Sequence, residues 1–301
     1  MIFDRASQAA EFLKNAPTAL PHFNAVLVAE PSFFEVAYAI NPYMTDPKSG
    51  ALQQVNKSQA QEQWNALLSV FRSLGLKVVS LPGIQGLPDI VFTANQSFPF
   101  WNASTGQYEI ILSKMRSPER AQEVPFFERF WKQQGFPVHQ LEYSGAFEGN
   151  GDAIFSPEHG VVFGGFGPRT DQEVYEELSE RFKLKVARLK LCSSDFYHLD
   201  TCFSVLSRDV AAIQPQAFSS EGLALLKCFF KTLIEIPYEE NKRFFCGNCF
   251  SPDGRHVILQ SGSPTFLAEL KGKGFQVREV ETGEFMKSGG SVFCLKLFFP
   301  G

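Results

Sequence analysis

The sequence has no long apolar run and is poor in cysteine. No stretch of about 18 apolar residues occurs, so no transmembrane helix is predicted. The first residues lack the basic segment and apolar stretch that a secretory signal would carry. Six cysteines among 301 residues are too few for a disulfide scaffold. These absences predict a reduced, cytoplasmic protein with no membrane partner.

The net charge of the chain is also small. A formal net charge of -4 and a pI near 5.8 give no general attraction to nucleic acid. Neither a Gly-x-x-x-x-Gly-Lys loop nor a Gly-x-Gly-x-x-Gly turn after a strand is present, so nucleotide binding has no support. Phenylalanine, in contrast, is abundant with 32 residues, which indicates a bulky aromatic core.

Cys246 and Cys249 form a C-x-x-C pair. A zinc site would need a second pair or nearby histidines, and neither follows at a suitable spacing. A redox dithiol would need a helix start, whereas residues 250–254 have the composition of a turn. We therefore interpret both cysteines as small buried residues, and no metal is expected.

Apolar stretches and turn signals alternate along the whole chain. Strand-strand-helix-strand units recur about every 50 to 60 residues, and no linker rich in proline, glycine or serine interrupts them. The pattern predicts an α/β fold in one domain over residues 1–301. Repeating units suggest a circular arrangement with the ends of the strands facing a central cavity.

Three segments carry residues suited to chemistry. His198 and Asp200 share one face if their segment is extended, because side chains alternate along a strand. Glu148 precedes a glycine-rich bend at residues 149–152, and Cys294 follows a glycine-rich loop near the predicted start of a strand over 292–298. Taken singly, these patterns favour an exposed ion pair, a solvated carboxylate and a buried thiol.

Together the segments resemble the guanidine-modifying, or amidinotransferase, superfamily with the pentein fold. The resemblance covers nearly the whole chain, and its motifs follow in order as residues 35–44, 87–95, 147–152, 165–170, 197–202 and 284–294. It implies an α/β propeller of five pseudo-repeated strand-strand-helix-strand units around a central site. It also implies a small guanidino substrate and no metal or organic cofactor.

The resemblance implies a catalytic set of Cys294, His198 and Glu148. Cys294 corresponds to the nucleophile and His198 to the general acid and base, while Glu148 holds the guanidinium and orients the histidine. Asp200 corresponds to a second guanidinium clamp. A cationic guanidinium held by carboxylates presents a flat face to sulfur and favours the thiolate.

Further substrate contacts are implied for Arg169, Asn41, Asp89, Asn95 and Lys114. Arg169 corresponds to the cation that receives the α-carboxylate of the substrate, and Asn41 lines the mouth of the site. Lys114 stands where relatives often have arginine, which replaces a planar fork with a point charge. The Thr93-Ala94-Asn95 segment resembles arginine and succinylarginine dihydrolases, whereas deiminases and dimethylarginine hydrolases usually carry aspartate at that place.

The expected reaction is hydrolysis at the guanidinium carbon of arginine, with release of ammonia and formation of ornithine or citrulline. Dimethylarginine dimethylaminohydrolase activity is the first alternative, and transfer of the amidino group to an amine is the second. A catalytically inactive pentein that acts only in binding is the alternative outside enzymes. Whether the chain forms a homo-oligomer is open at this point.

Overall fold

The structure, a computed structural model, describes residues 1–14 and 23–301. The strands found there are β1 (Ile2–Phe3), β2 (Ala25–Ala29), β3 (Lys77–Leu81), β4 (Ser97–Asn102), β5 (Gln107–Leu112), β6 (Val138–His139), β7 (Ala153–Ser156), β8 (Val161–Phe166), β9 (Val186–Lys190), β10 (Phe203–Val205), β11 (Val210–Ile213), β12 (Thr232–Glu235), β13 (His256–Gln260), β14 (Gln276–Val280) and β15 (Leu297–Phe299). The α-helices are α1 (Ala6–Leu13), α2 (Lys57–Ser73), α3 (Pro118–Ala121), α4 (Val124–Gln133), α5 (Gly149–Asp152), α6 (Val174–Glu180), α7 (Ser220–Phe229), α8 (Tyr238–Phe244), α9 (Pro264–Gly272) and α10 (Gly283–Met286). Shorter 3₁₀ helices cover Pro88–Val91, Leu199–Thr201 and Pro215–Ala217. Within the described ranges, no helix has both the length and the apolar character needed to cross a membrane.

The chain divides into two compact units. The first unit contains residues 1–14 and Asn95–Glu235 and holds three sheets, with strand orders β1-β9-β8-β7, β4-β5-β6 and β10-β11-β12. The second unit contains Phe23–Ala94 and Ile236–Gly301 and holds the sheets β15-β2-β3 and β13-β14. The expectation of one domain over residues 1–301 stays a prediction.

One pairing pattern recurs in these sheets. The pairs β4–β5, β7–β8, β10–β11 and β15–β2 are antiparallel, and each is followed by a parallel strand reached through a helical connection. In the fifth sheet β13 and β14 are parallel, and the bridge between Phe250 and Ile258 supplies the antiparallel partner. The predicted strand-strand-helix-strand unit is therefore present, and the mixed α/β class is confirmed.

Several elements follow their sequence signals closely. The all-apolar strand β2 is buried along its full length, as its lack of alternation predicts. Helix α2 is capped at its N-terminus by Asn56, whose side chain accepts a hydrogen bond from the Gln59 amide, and Gly75 follows its end with a φ of 79°. Pro125 lies in the first turn of α4, where proline is well tolerated, and α3 ends before that turn begins.

Other predictions about local structure were wrong. The segment around Asp200 is the 3₁₀ helix Leu199–Thr201 and not part of a strand, so the alternation argument that paired Asp200 with His198 does not apply. The last strand begins at Leu297, and Cys294 lies in the turn before it. In each case local hydrogen bonds, rather than side-chain patterning, decide the backbone.

Tyr175 on α6 ties the short helix α5 to β8. Its hydroxyl donates towards the carbonyl oxygens of Asp152 at 3.0 Å and Gly165 at 2.7 Å, and the side chain is fully buried. A Cβ atom at Gly164 would lie 2.6 Å from the Tyr175 ring, so glycine is required there. The tyrosine thereby holds the last residue of α5, the short helix that follows Glu148.

We expect Tyr175→Phe to lower the free energy of unfolding by about 1–2 kcal/mol, because two buried carbonyl oxygens lose their donor. Denaturant unfolding measures the change. Tyr143→Phe is the matched control, since the Tyr143 hydroxyl makes only contacts of 3.4 and 3.5 Å to Glu173 and Asp171, and should cost under about 0.5 kcal/mol. Equal losses in the two variants would contradict this role of Tyr175.

Candidate active site

Glu148 lies immediately before helix α5 in the first unit. Its side chain is completely buried, and its amide donates to the Thr170 hydroxyl at 3.0 Å. Gly149 follows with a φ of 52°, and a Cβ atom there would lie 2.6 Å from the main-chain oxygen of Asn95. Glycine at position 149 therefore lets its backbone pack closely against that of Asn95. This contact fixes the backbone position from which the neighbouring Glu148 side chain extends.

The Glu148 carboxylate accepts three hydrogen bonds. Oε2 lies 2.7 Å from His198 Nε2 and 3.1 Å from Arg169 Nη1, while Oε1 accepts the Arg116 amide at 3.0 Å. Burial opposes ionisation most strongly, but the hydrogen bond and charge of His198, with the charges of Arg169 and Arg120, hold the pKa of Glu148 at about 2. The carboxylate is therefore ionised at neutral pH, and His198 donates its Nε2 proton to it.

Asp152 is a second buried carboxyl beside His198, and its sequence context predicted no role for it beyond the bend. Its Oδ2 lies 4.0 Å from His198 Nε2, and its Oδ1 accepts the Leu199 amide at 2.9 Å. Burial raises the pKa of Asp152 to about 6, and the nearby charge of Glu148 acts in the same direction. Glu148 therefore loses its proton at about pH 2, whereas Asp152 keeps its proton up to about pH 6.

His198 and Asp200 are both buried, at 2% and 0% exposure. The turn that carries them is closed by the hydroxyl of Thr201, which donates to the His198 carbonyl oxygen at 2.6 Å. The Cys202 amide extends the turn by donating to the Leu199 carbonyl oxygen. These local bonds replace the extended backbone that the sequence pattern suggested, yet they keep Asp200 inside the protein.

Two predicted carboxylate-binding cations have protein partners. Arg169 bonds Glu148, and its guanidinium lies 4.9 Å from the centre of the Tyr197 ring. Lys114 Nζ donates to the Tyr143 carbonyl oxygen. Arg116 was not singled out in the sequence; beyond its amide bond to Glu148, its side chain donates to the Arg169 carbonyl oxygen at 3.1 Å and pairs with Asp171. Its side chain is 43% exposed and provides a further cation near Glu148.

Asn95 has a fixed side-chain orientation. Its Oδ1 accepts a hydrogen bond from Arg120 Nη1 at 2.9 Å, and arginine only donates, so the other amide atom is the nitrogen. Arg120 is itself held by a bidentate ion pair with Glu123, and both side chains are buried. Asn95 Nδ2 is buried and has no hydrogen-bond acceptor within the described part of the chain.

Gly151 lies between Asn95 and His198. A Cβ atom at this glycine would lie 2.3 Å from Asn95 Nδ2 and 3.6 Å from the His198 ring. The first unit therefore brings Glu148, His198, Arg169 and Asn95 into one cluster, which we call the acid–base cluster. Lys114 was also predicted to belong to the site, but its ammonium group bonds the Tyr143 carbonyl oxygen.

Cys294 lies in the second unit within a tight turn over residues 291–296, here called the cysteine turn. The Leu295 amide donates to the Ser291 carbonyl oxygen at 3.0 Å and closes it. The thiol is only 3% exposed. Asn248, between the two cysteines of the C-x-x-C pair, donates from Nδ2 to the Cys294 sulfur at 3.2 Å. In the sequence, nothing marks Asn248 except its place between the two cysteines of the C-x-x-C pair.

The loop before the cysteine turn gathers two predicted substrate-binding residues. Ser288 donates its hydroxyl to Asp89 Oδ1 at 2.8 Å, and its carbonyl oxygen accepts from Asn41 Nδ2 at 3.0 Å. A Cβ atom at Gly290 would lie 2.3 Å from the Phe92 ring and 3.1 Å from Cys294 Cβ. Glycine at 290 is therefore needed for the loop to pack beside the cysteine, with Asp89 and Asn41 holding its other end.

The cysteines and other potential metal ligands that the structure describes outside this turn do not gather as a metal site would require. Cys246 and Cys249 are fully buried, as expected, and burial raises the pKa of Cys246 far above its ordinary value. In residues 1–14 and 23–301, no group of three or more histidine, cysteine, aspartate or glutamate side chains is arranged to hold a metal ion.

Comparison with known proteins places the chain in a family. The model of the eukaryotic N,N dimethylarginine dimethylhydrolase family matches residues 31–297. The N(G),N(G)-dimethylarginine dimethylaminohydrolase of Mycobacterium tuberculosis is 34% identical over 92% of this chain and 86% of its own length. The bifunctional arginine dihydrolase/ornithine cyclodeaminase AgrE of Nostoc is 31% identical over 90% of this chain, which spans only 37% of AgrE.

Solved structures agree with these relatives. The N-terminal domain of the cyanobacterial arginine dihydrolase ArgZ, bound to product, superposes with a TM-score of 0.84 at 29% identity, over 92% of this chain and 97% of that one. The class is thus that of guanidine-modifying proteins with pentein structures. Within that class the chain belongs to the dimethylarginine dimethylaminohydrolase family, and it is a hydrolase of C–N bonds other than peptide bonds.

We expect the raised pKa of Asp152 to make stability depend on pH. The folded state holds this proton up to about pH 6 and the unfolded chain only to 3.8, so the free energy of unfolding falls as pH rises between these values. Asp152→Asn removes this loss. Its stability relative to the parent should therefore rise by about 1–3 kcal/mol between pH 4.5 and 7.5, measured by denaturant unfolding.

Asp209→Asn is the control for this measurement, because Asp209 forms an exposed pair with Lys231. Its stability relative to the parent should change by less than about 0.5 kcal/mol over the same pH range. A difference for Asp152→Asn that stays constant with pH would show that this carboxyl does not titrate as described.

Proposed function

We propose that the protein hydrolyses arginine at the guanidinium carbon and releases ammonia. One observation carries the proposal: the buried Glu148 carboxylate is held ionised and lies 2.7 Å from His198 Nε2. A buried negative charge next to a proton-carrying imidazole suits a cationic substrate that must lose an amine. The relatives AgrE and ArgZ are arginine dihydrolases, which supports arginine as the substrate.

The proposed mechanism uses Cys294 as the nucleophile. Its thiolate attacks the guanidinium carbon, a C–N bond breaks, and the departing nitrogen leaves as ammonia with a proton from His198. The resulting thiouronium is attacked by water, whose proton returns to His198, and collapse regenerates the thiolate. A covalently bound reaction intermediate is known for an asparagine-to-serine variant of ArgZ, which is consistent with this route.

The other predicted residues are proposed to hold the substrate. Asp200 contributes a second buried carboxylate to the guanidinium, while Arg169 and Lys114 provide positive charge for the α-carboxylate. Arg116 is an additional candidate for that contact, because its guanidinium is partly exposed. Asn41 and Asp89 act through the Ser288 loop. A five-unit propeller with these residues facing one central site remains part of this proposal.

Asn95 supports a two-step reaction. The Arg120 bond leaves a buried Nδ2 donor, and a donor suits the oxygen of a neutral ureido group better than the N–H edge of a guanidinium. A citrulline-like product is therefore proposed to stay bound for a second attack. Arginine and two water molecules would then give ornithine, two ammonia molecules and the former guanidinium carbon as carbon dioxide.

Hydrolysis of dimethylarginine is the second candidate. It is favoured by the family model that matches residues 31–297 and by the relative in Mycobacterium tuberculosis. The nucleophile and the acid–base cluster would serve equally, with dimethylamine as the leaving group.

The first test is a substrate panel of arginine, methylated arginines, succinylarginine and agmatine, with products identified by mass. We expect ammonia release from arginine and a loss of at least about a thousandfold in Cys294→Ser, because a hydroxyl is a far weaker nucleophile at neutral pH. Cys249→Ser is the matched control and should stay within about threefold of the parent. Dimethylamine from dimethylarginine as the main product would favour the second candidate, and retained activity in Cys294→Ser would exclude the mechanism.

The second test concerns Asn95. We expect Asn95→Asp to lower the ratio of ornithine to citrulline at least about tenfold, since an ionised carboxylate repels the ureido oxygen. Arg120→Gln, which loosens the Asn95 amide, should lower the ratio less. Asn65→Asp adds the same charge on the exposed face of α2 and should leave the ratio unchanged. Citrulline as the sole product of the parent protein would contradict the two-step reaction.

A further inference from the structure

Asn248 occupies the centre of the cysteine turn. Its Oδ1 accepts hydrogen bonds from the amides of Ser291 at 3.2 Å, Phe293 at 3.0 Å and Cys294 at 3.1 Å. Its main-chain oxygen also accepts from the Phe293 amide at 3.0 Å. One buried side chain thus holds three amide donors of the segment that carries the thiol.

These bonds determine which amide atom meets the sulfur. The three N–H groups can only donate, so the atom that they surround is the oxygen, and the nitrogen must point towards Cys294. The Nδ2-to-sulfur distance of 3.2 Å then describes a hydrogen bond that sulfur accepts. A thiolate accepts more strongly than a thiol, because hydrogen bonds to a charged group are the stronger ones.

We propose that Asn248 is the positioning residue of Cys294, with its oxygen shaping the cysteine turn and its amino group stabilising the thiolate by an N–H···S hydrogen bond. The proposal rests on the proposed role of Cys294 as nucleophile. Within the C-x-x-C segment, this function belongs to Asn248 and not to Cys246 or Cys249.

The asparagine is itself rigidly held. The Gly247 amide donates to Asn241 Oδ1 at 2.7 Å, and the Asn248 amide donates to the Phe245 carbonyl oxygen at 2.9 Å. Asn248 is completely buried. Because the side chain starts from a fixed backbone and ends on fixed donors, it needs no reorganisation when charge forms on sulfur.

Other titratable groups lie on the segments packed here. Lys296 follows on the cysteine turn, with its ammonium 3.2 Å from the centre of the Phe293 ring and 4.5 Å from that of Phe250. Asp89 reaches the preceding loop through Ser288. Cys246 and Cys249 flank Asn248 itself. The lysine favours a thiolate at Cys294 and Asp89 opposes it, so a test must change Asn248 while leaving these charges in place.

The test measures the rate at which iodoacetamide alkylates Cys294 from pH 6 to 10, followed by mass on the tryptic peptide of residues 288–296. Asn248→Asp keeps the oxygen that binds the three amides and replaces the donor with a second oxygen. We expect the pH midpoint of alkylation to rise by at least about one unit, with a limiting rate within about threefold of the parent. Asn241→Asp is the matched control, because Asn241 also accepts a buried amide, and its midpoint should move by less than about 0.3 units.

An unchanged midpoint in folded Asn248→Asp would overturn the proposal. The measurement needs no guanidino substrate, so a shifted midpoint in a protein that hydrolyses none of the panel would refute the proposed function and leave the role of Asn248 intact. The opposite pair of results would refute only the role of Asn248.

A second measurement uses the parent protein and does not depend on a variant that folds. The side-chain amide resonance of Asn248 is followed by ¹H–¹⁵N NMR across the same pH range. We expect its proton shift to follow the ionisation of Cys294 and to become independent of pH after methylthiolation of that sulfur. A resonance that ignores the state of Cys294 would overturn the proposal.

Discussion

The hydrogen bond between Glu148 and His198 is the interaction on which the proposed chemistry of the site depends. A carboxylate with no solvent exposure is stable only when its charge is matched, and Arg169, the Arg116 amide and the histidine proton supply that match. In return the histidine is held in one orientation with its proton directed at an anion. Because the Nε2 proton is directed at Glu148, we propose that the leaving nitrogen of a guanidinium takes its proton from the other ring nitrogen, Nδ1.

Each unit of the chain uses a buried asparagine in a similar way. In one unit Arg120 engages the oxygen of Asn95, and in the other three backbone amides engage the oxygen of Asn248. In both cases the hydrogen bonds to the oxygen fix the orientation of the amide, so the amino group points away from these partners and acts as a donor. Aspartate would offer an acceptor at these positions, so the choice of amide over acid decides which charge or dipole each position can stabilise.

The sequence predicted much of this arrangement. Its apolar runs and glycine stops located most strands and helices, and the ordered motifs identified Glu148 and His198, which the structure joins directly. It failed where local hydrogen bonds decide the backbone, as in the 3₁₀ helix around Asp200. It also missed Asp152, Arg120 and Asn248, because their importance comes from partners distant in sequence, such as Asn95 for Arg120 and Cys294 for Asn248. Lys114 was singled out, yet its ammonium bonds the Tyr143 carbonyl oxygen.

In the proposed mechanism the sulfur of Cys294 forms a bond with the guanidinium carbon of the substrate. Rapid acid quenching during turnover of arginine, followed by peptide mass analysis, tests this claim directly. We expect an adduct of arginine less one ammonia on the peptide of residues 288–296. Turnover with no adduct there, or with the adduct on a different cysteine, would contradict it.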